Sequence, residues 1–238
     1  MIIEPHYDDA WVNLGGAILK NPALDFTILS ISEHKGNNLN ETKKLEDTLP
    51  NVKTKALKYK TLLWGLEAPK SNWKDLFCEL NGLKNYSEFE EKVRQEVKGY
   101  DLVLLPLGVK HPQHILISEI DLPGKVKYYR EFPYFFPEKI KSVVECIPWI
   151  KKKLGHQREV FNKIKDNWAE EIDITDFVEK KLQIFEEVYK SQLFLSRLDK
   201  KGYNLRSLKT EVLYENIEGN HWGHLLKAYA ATLKMEFW

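Results

Sequence analysis

Near the start of the chain stands the sequence Ile3-Glu4-Pro5-His6-Tyr7-Asp8-Asp9-Ala10-Trp11-Val12-Asn13-Leu14-Gly15-Gly16. A few apolar residues lead into a polar turn that carries one imidazole and two adjacent carboxylates. Beyond the turn, Trp11, Leu14 and Ala17 recur at helical spacing. The pattern therefore predicts a short strand, a turn and the start of a helix, with side chains able to hold a metal ion in the turn.

A second polar turn, His111-Pro112-Gln113-His114, follows an apolar run over residues 102–107. Pro112 suits the first turn of a helix, because the N–H group that proline lacks has no partner there. In an α/β sheet, turns at the carboxyl ends of parallel strands meet in one crevice. We therefore expect both turns to lie together, at the carboxyl ends of strands one and four.

The rest of the chain alternates buried strands with amphipathic helices, which is typical of an α/β fold. Strands are predicted at 2–5, 26–32, 52–59, 101–106, 126–129, 212–214 and 232–237. Helices are predicted at 9–20, in the charged segment before Pro50, from a capping box at Ser87 and Glu90, and over 178–193. No repeat or linker interrupts this order. The prediction is a single Rossmann-like α/β domain over 1–238, with a mostly parallel sheet flanked by helices.

Composition excludes several classes of function. Of the 238 residues, 36 are Lys or Arg and 35 are Asp or Glu, so the net charge is +1 and no basic surface for nucleic acid is indicated. No apolar run reaches the roughly 20 residues of a membrane span. Because the polar turn comes so early, we expect no signal peptide and a cytoplasmic location, although the very short first strand suggests a start upstream of Met1. The two cysteines, Cys78 and Cys146, form no disulfide framework or CxxC site.

The two turns together contain the side chains of a hydrolytic metal site. A catalytic zinc ion needs about three protein ligands and one open position. His6 and Asp9 can converge on one ion, and His114 completes the set. Asp8 is then placed to accept a proton from water, and His111 to stabilise a developing oxyanion. Iron(II) is an alternative metal for such ligands.

Simpler interpretations exist for each motif. Asp8 or Asp9 can merely cap a helix, because Asp is a favoured N-cap residue. A His-x-x-His pattern is common without any metal, and His221-Trp222-Gly223-His224 is a second copy that lacks a carboxylate pair. We expect that copy to be a surface loop or helix start, His156 to lie on a basic solvated face, and the cysteines to be packing residues. His34 remains ambiguous.

The motifs also resemble a known family. Pro5-His6-Tyr7-Asp8-Asp9, Gly15-Gly16 and His111-Pro112-Gln113-His114 are similar to the motifs of the PIG-L/LmbE-like zinc-dependent N-acetylglucosaminyl deacetylases. Three further segments extend the likeness, namely 128–134, Asp173-Ile174-Thr175 with Lys181, and 189–192. The resemblance implies a Rossmann-like fold and a zinc-dependent hydrolase that removes the acetyl group from an amino sugar in a glycoside or glycoconjugate. It implies His6, Asp9 and His114 as metal ligands, Asp8 as the general base, and His111 as the residue that stabilises the tetrahedral intermediate.

The sequence departs from the family at three positions beside these residues. Tyr7 replaces the usual Pro, Ala10 the usual Glu, and Gln113 a common Asp. The expected partner is a small N-acetylated sugar, with no nucleic acid and no membrane span, and the oligomeric state is not indicated. Two alternatives stay open: a metal-dependent hydrolase of another amide or ester, and a sugar-binding or scaffold relative without turnover.

Overall fold

The computed structural model describes residues 1–33, 38–62, 72–108, 111–132, 170–189, 206 and 208–215. Its strands are β1 (Ile2–Glu4), β2 (Phe26–Ser32), β3 (Val52–Tyr59), β4 (Val103–Pro106), β5 (Val126–Tyr129), β6 (Glu170–Asp173) and β7 (Thr210–Glu215). Its helices are α1 (Asp9–Lys20), α2 (Asn38–Thr48), α3 (Trp73–Asn81), α4 (Tyr86–Val97), α5 (Pro112–Ser118) and α6 (Val178–Val188). A 3-10 turn, Thr175–Phe177, precedes α6.

The seven strands form one sheet in the order β3-β2-β1-β4-β5-β7-β6. The first five pair in parallel, and β7 pairs antiparallel with both β5 and β6. The predicted α/β fold with a mostly parallel sheet is confirmed. The chain runs outward from β1 through β2 to β3 and then returns to the other side of β1. The switch point of the sheet therefore lies between β1 and β4.

Each face of the sheet is covered by helices, because successive side chains of a strand point to opposite faces. Ile2 and Leu104 belong to a buried cluster with α1 and α6, whereas Ile3 and Leu105 belong to a second cluster with α3, α4 and α5. Cys78 is buried in the second cluster as an unbridged packing residue, as expected. Among the described residues, no helix is long and apolar enough to cross a membrane.

Most predicted elements are confirmed, with three differences. The capping box at Ser87 and Glu90 is wrong: Asn85 is the N-cap of α4, and its side chain accepts a hydrogen bond from the Glu88 N–H. The short strand β6 was not predicted. Asp173, which the resemblance assigned to a C-terminal helix, ends this strand. The predicted strand at 232–237, and the part of the C-terminal helix after Tyr189, lie outside the described residues.

Candidate metal and catalytic site

The two polar turns lie where the sequence predicts them. His6, Asp8 and Asp9 follow β1, and His111 and His114 follow β4, the two strands that flank the switch point. His111 is the N-cap residue of α5, and His114 lies in the first turn of that helix. The described structure therefore brings all three histidines together, with their possible ligand atoms within 4.8 Å of one another.

The turn after β1 is closed by Asp9 itself. The Asp9 N–H donates to the carbonyl of His6 over 3.2 Å, and Asp9 Oδ2 accepts from the His6 N–H over 2.8 Å. The same carboxylate oxygen lies 3.1 Å from His6 Nδ1. These contacts fix the imidazole and the carboxylate relative to each other before any ligand binds.

A buried carboxylate contacts the Nδ1 side of the His114 ring. Its Nδ1 contacts Glu131 Oε1, and the other oxygen of Glu131 accepts from the Gly108 N–H over 2.6 Å. His114 and Glu131 are both fully buried. Because Glu131 contacts Nδ1, it is the Nε2 atom of His114 that lies against His6 and Asp9. This is the carboxylate–histidine arrangement that commonly orients a metal ligand.

Three atoms of this cluster have the spacing of metal ligands. His114 Nε2 lies 3.1 Å from His6 Nδ1 and 3.4 Å from Asp9 Oδ2, and the third edge, His6 Nδ1 to Asp9 Oδ2, is 3.1 Å. A tetrahedral zinc ion with ligands at about 2.0–2.1 Å places its donor atoms about 3.3–3.4 Å apart. The residues present therefore fit a divalent ion, and the three histidines alone form a wider set.

The second turn gives His111 a defined tautomer. His111 Nδ1 accepts a hydrogen bond from the Gln113 N–H over 3.2 Å. Burial, and then the neighbouring His114 and His6, lower the pKa of His111 to about 2, so the ring is neutral. A neutral imidazole that accepts at Nδ1 carries its proton on Nε2. His111 therefore offers the site an N–H donor rather than a lone pair.

Asp8 is not used as a helix cap. It is the N-cap residue of α1, yet its side chain makes no cap hydrogen bond. Instead, Glu4 Oε2 accepts from the Ala10 N–H over 2.9 Å, and the Ser30 hydroxyl donates to the other oxygen of Glu4. Glu4 is buried at the end of β1. Glu4 thus takes one N–H of the first turn of α1, and the carboxylate of Asp8 makes no cap bond to this helix.

The two adjacent aspartates have opposite electrostatic environments. Burial and the neighbouring Asp9 raise the pKa of Asp8 to about 7. For Asp9, burial also opposes the charged form, but His114 and His6 outweigh it and lower the pKa to about 2. For His114, burial opposes the charged form, yet the Asp9 and Glu131 charges raise its pKa overall. Asp9 is therefore the anion of the cluster and Asp8 a carboxyl group that can exchange a proton near neutral pH.

The three departures from the family have structural consequences. Tyr7 is buried, with its ring centroid 5.9 Å from that of Tyr189. At Ala10, where the resembled motif has Glu, the backbone N–H donates to Glu4 Oε2. A carboxylate from the end of β1 therefore lies next to this position. Gln113 accepts from the Leu62 N–H over 3.0 Å, and its buried Nε2 has no partner in the described structure. The second His-x-x-His motif, His34, His156 and Cys146 lie outside the described residues.

Sequence reasoning missed two residues that shape the site, Glu4 and Glu131. Each was quoted in a motif without a role. A signal existed for Glu4, since a carboxyl group within a predicted buried strand requires a hydrogen-bond partner. For Glu131 the contact with His114 depends on the pairing of β4 with β5, which no local pattern reveals.

Comparison with known proteins supports the fold. No protein-family model matches the chain, and no curated protein matches it. A solved structure described as a deacetylase–teicoplanin complex, from the biosynthesis pathway of teicoplanin, superposes with a TM-score of 0.55 at 13% sequence identity. The match covers 92% of this chain and 98% of that one. At this identity the likeness concerns the fold, and the chain shares the α/β fold of that deacetylase.

Proposed function

We propose that the protein is a metal-dependent hydrolase that removes an N-acetyl group from an amino sugar. The observation that carries the proposal is the triangle formed by His6 Nδ1, Asp9 Oδ2 and His114 Nε2. His6 Nδ1 lies 3.1 Å from each of the other two atoms, which are 3.4 Å apart. The neighbouring carboxyl group of Asp8 makes no helix-cap hydrogen bond. The deacetylase fold and the sequence resemblance to the PIG-L/LmbE-like family both favour this activity.

In this proposal His6, Asp9 and His114 hold the ion, with Zn²⁺ as the first choice and Fe²⁺ as the alternative. A zinc ion at such a site acts as a Lewis acid and lowers the pKa of a water ligand to about 7. Glu131 fixes the tautomer of His114 so that Nε2 presents a lone pair to the ion. His111 is the less suitable third ligand, because its Nε2 carries a proton.

Asp8 has the role of general base and then general acid. Its carboxyl group accepts the proton of the water that attacks the acetyl carbonyl, and it returns this proton to the departing amine. Burial and Asp9 raise the pKa of Asp8 towards neutral pH, which favours both steps, because an acid–base group works best when its pKa lies near the operating pH.

His111 stabilises the charge that develops on the carbonyl oxygen. A neutral imidazole with a proton on Nε2 is a hydrogen-bond donor, and burial strengthens its bond to an oxyanion. The Gln113 N–H holds Nδ1 from the opposite side, so the donor does not need to reorient during the reaction.

The nature of the substrate rests on the resemblance. An N-acetylated sugar of the N-acetylglucosamine type is the first choice, and the solved neighbour is described as a deacetylase in complex with teicoplanin. The proposal includes no nucleic-acid partner. Hydrolysis of a different amide or ester, and a sugar-binding or scaffold role without turnover, are the alternatives.

The test combines metal analysis with an assay of acetate release. Protein purified without added metal should contain about one equivalent of a divalent ion, and the wild type should release acetate from at least one of a panel of N-acetylated sugars. Asp8→Asn is the control for contaminating hydrolases, because it should retain the metal and lose the activity. A metal-free protein that stays inactive after zinc is added would favour the non-catalytic alternative, and turnover of simple esters or other amides alone would change the substrate class.

A further inference from the structure

A second buried charged cluster lies in the C-terminal part of the fold. Lys181 of α6 and Glu211 of β7 are only 5% and 4% exposed, and their Nζ and Oε1 atoms are 2.6 Å apart. The mechanism proposed above uses neither residue. A buried ion pair contributes little net stability, because desolvation offsets much of the attraction. The pair therefore calls for an explanation other than its mutual attraction.

The pair makes hydrogen bonds to backbone groups of α1. Lys181 Nζ donates to the carbonyl of Val12 over 2.6 Å. Glu211 Oε1 accepts from the Gly16 N–H over 2.9 Å, and its Oε2 accepts from the Ala17 N–H over 2.6 Å. α1 is a continuous helix from Asp9 to Lys20, and Lys181 and Glu211 contact its backbone in the middle of that helix.

A carboxylate that accepts from two consecutive N–H groups is typical of the start of a helix. Glu211 makes this kind of contact in the interior of α1, at Gly16 and Ala17. The N-terminal part of α1, next to Asp8 and Asp9, has contacts of its own. Lys181 holds its Val12 carbonyl, and Asn13 Nδ2 donates to the Asp9 carbonyl over 2.7 Å.

Two glycines of α1, Gly15 and Gly16, make these contacts possible. A Cβ atom on Gly15 would lie 3.2 Å from Lys181 Cγ and 3.0 Å from the Trp11 ring. A Cβ atom on Gly16 would lie 2.7 Å from Ile174, which precedes α6. The absence of both side chains lets α6 and the segment before it approach the backbone of α1. The Gly15-Gly16 motif is thus explained by the contact with the C-terminal elements.

We propose that Lys181 and Glu211 are positioning residues that set the first turn of α1, and with it Asp8 and Asp9, relative to His114. They touch no reacting atom. They act by tying the backbone of α1 at Val12, Gly16 and Ala17 to α6 and β7, so that the orientation of α1 depends on these two elements. The zinc-affinity readout below rests on the proposed function, whereas the spectroscopic readout does not.

The decisive variant replaces both residues, Lys181→Met with Glu211→Met. Exchange of a buried ion pair for apolar side chains of similar size is often neutral for stability, so the fold should survive. The contacts of α6 and β7 with the backbone of α1 are then lost, and the position of α1 relative to α5 should change. Zinc affinity, measured by competition with a chelator, should fall about tenfold or more, as is typical when residues that hold metal ligands in position are changed.

A second measurement needs no metal. In the metal-free protein, the imidazole NMR resonances of His6 and His114 should shift in the double variant, because their contacts with Asp9 change. The matched control is Lys127→Met, which removes another poorly exposed lysine, paired with Glu170 at 2.8 Å and Glu215 at 2.9 Å on the β5–β7–β6 side of the sheet. The control should lower thermal stability and leave both readouts unchanged.

Unchanged resonances in a folded double variant would overturn the proposal, as would shifts of the same size in the control. A wild type that binds no zinc would refute the proposed function, but the resonances would still decide the role of the pair. Should the double variant fail to fold, Glu211→Gln serves instead. It keeps one acceptor oxygen and should give a smaller shift in the same direction.

Discussion

Asp8 and Asp9 are neighbours in sequence, but their surroundings differ. Asp9 Oδ2 contacts His6 and lies 3.4 Å from His114 Nε2, whereas Asp8 makes no cap bond because Glu4 serves the first turn of α1. The simpler interpretation, that one of the pair is only a helix cap, does not hold for Asp8. Unequal surroundings suit the proposed division of roles, in which one carboxylate holds a metal and the other moves a proton.

The first prediction separates these two roles. Asp8→Asn should keep zinc and the fold but reduce kcat by about 10²–10⁴, the usual contribution of a general base, with KM little changed. Asp9→Asn should lose zinc, and excess zinc should restore part of its activity. Metal analysis and steady-state kinetics on both variants provide the measurement. His221→Ala with His224→Ala is the control and should leave both quantities unchanged.

The second prediction concerns the cost of holding the half-buried Asp8 beside Asp9. Its folded pKa of about 7 exceeds the value of about 3.9 in an unfolded chain. Between these values the folded chain holds a proton that the unfolded chain has released, so the free energy of unfolding falls as pH rises through this window. Metal-free Asp8→Asn should therefore be more stable than wild type at about pH 8, on the order of 2 kcal/mol, and the difference should shrink towards about pH 4. Urea unfolding with a chelator present measures it, and a difference that is independent of pH would contradict the explanation.

The third prediction concerns Glu131, which contacts His114 Nδ1 and accepts from the Gly108 N–H. Glu131→Gln retains the size of the side chain and one acceptor oxygen but removes the charge. Zinc affinity should fall about 10–100-fold, as is typical when the partner of a ligating histidine changes. Competition titration measures the effect. Glu170→Gln, which alters an exposed partner of Lys127, should leave the affinity unchanged.

At the residue scale, sequence reasoning predicted where the side chains of the two turns lie but not what holds them. Spacing placed His6 and Asp9 together, and the rule that the carboxyl ends of parallel strands meet in one crevice brought His114 to them. The roles of Glu4, Glu131, Lys181 and Glu211 depend on contacts between elements far apart in the chain. Lys181 did carry a signal, because it occupies the buried face of α6 beside Val178 and Leu182. A charge at such a position requires a buried partner.

At the element scale, the best predictions were those with a continuous apolar pattern. The bounds of α1 and β2 agree with the structure, because the core faces of these elements are marked by buried side chains at the expected period. The bounds of β3 and β5 agree as well, although Val52 is the one buried residue of β3. By contrast, β6 has the sequence Glu-Glu-Ile-Asp and is mostly exposed. It is an edge strand that forms only because β7 pairs with it, so its own sequence does not predict it.

The fourth prediction tests the corrected start of α4. Asn85 accepts from the Glu88 N–H over 3.1 Å, and Glu88 Oε2 accepts from the Lys84 N–H over 3.1 Å. Asn85→Ala should therefore lower the free energy of unfolding by about 1 kcal/mol. Ser87→Ala, at the position the sequence pattern favoured, should change it by less than about 0.5 kcal/mol. Chemical denaturation of the two variants gives the comparison. An equal loss of stability in both would support the capping box predicted at Ser87 and Glu90.

At the scale of the whole molecule, the alternation of strands and helices predicted the class of fold and the edge of the sheet that carries the site. The antiparallel pairing of β7 with β5 and β6 was not predicted, because nothing in a short strand sequence identifies its partner. This part of the sheet delivers Glu211 to α1. The antiparallel part of the sheet, which local sequence patterns predict least well, is therefore the part that contacts the N-terminal helix α1.

The bridge between α1 and Glu211 also sets an order of events during protein synthesis. The contacts join residues 195 and 194 positions apart, so the ribosome makes Asp8 and Asp9 long before it makes the strand that anchors their helix. A nascent chain that ends before β7 should therefore have an incomplete cluster and capture zinc weakly. Ribosome-stalled chains that end before and after Glu211 should differ in zinc retention, and equal retention would show that the N-terminal turns assemble alone.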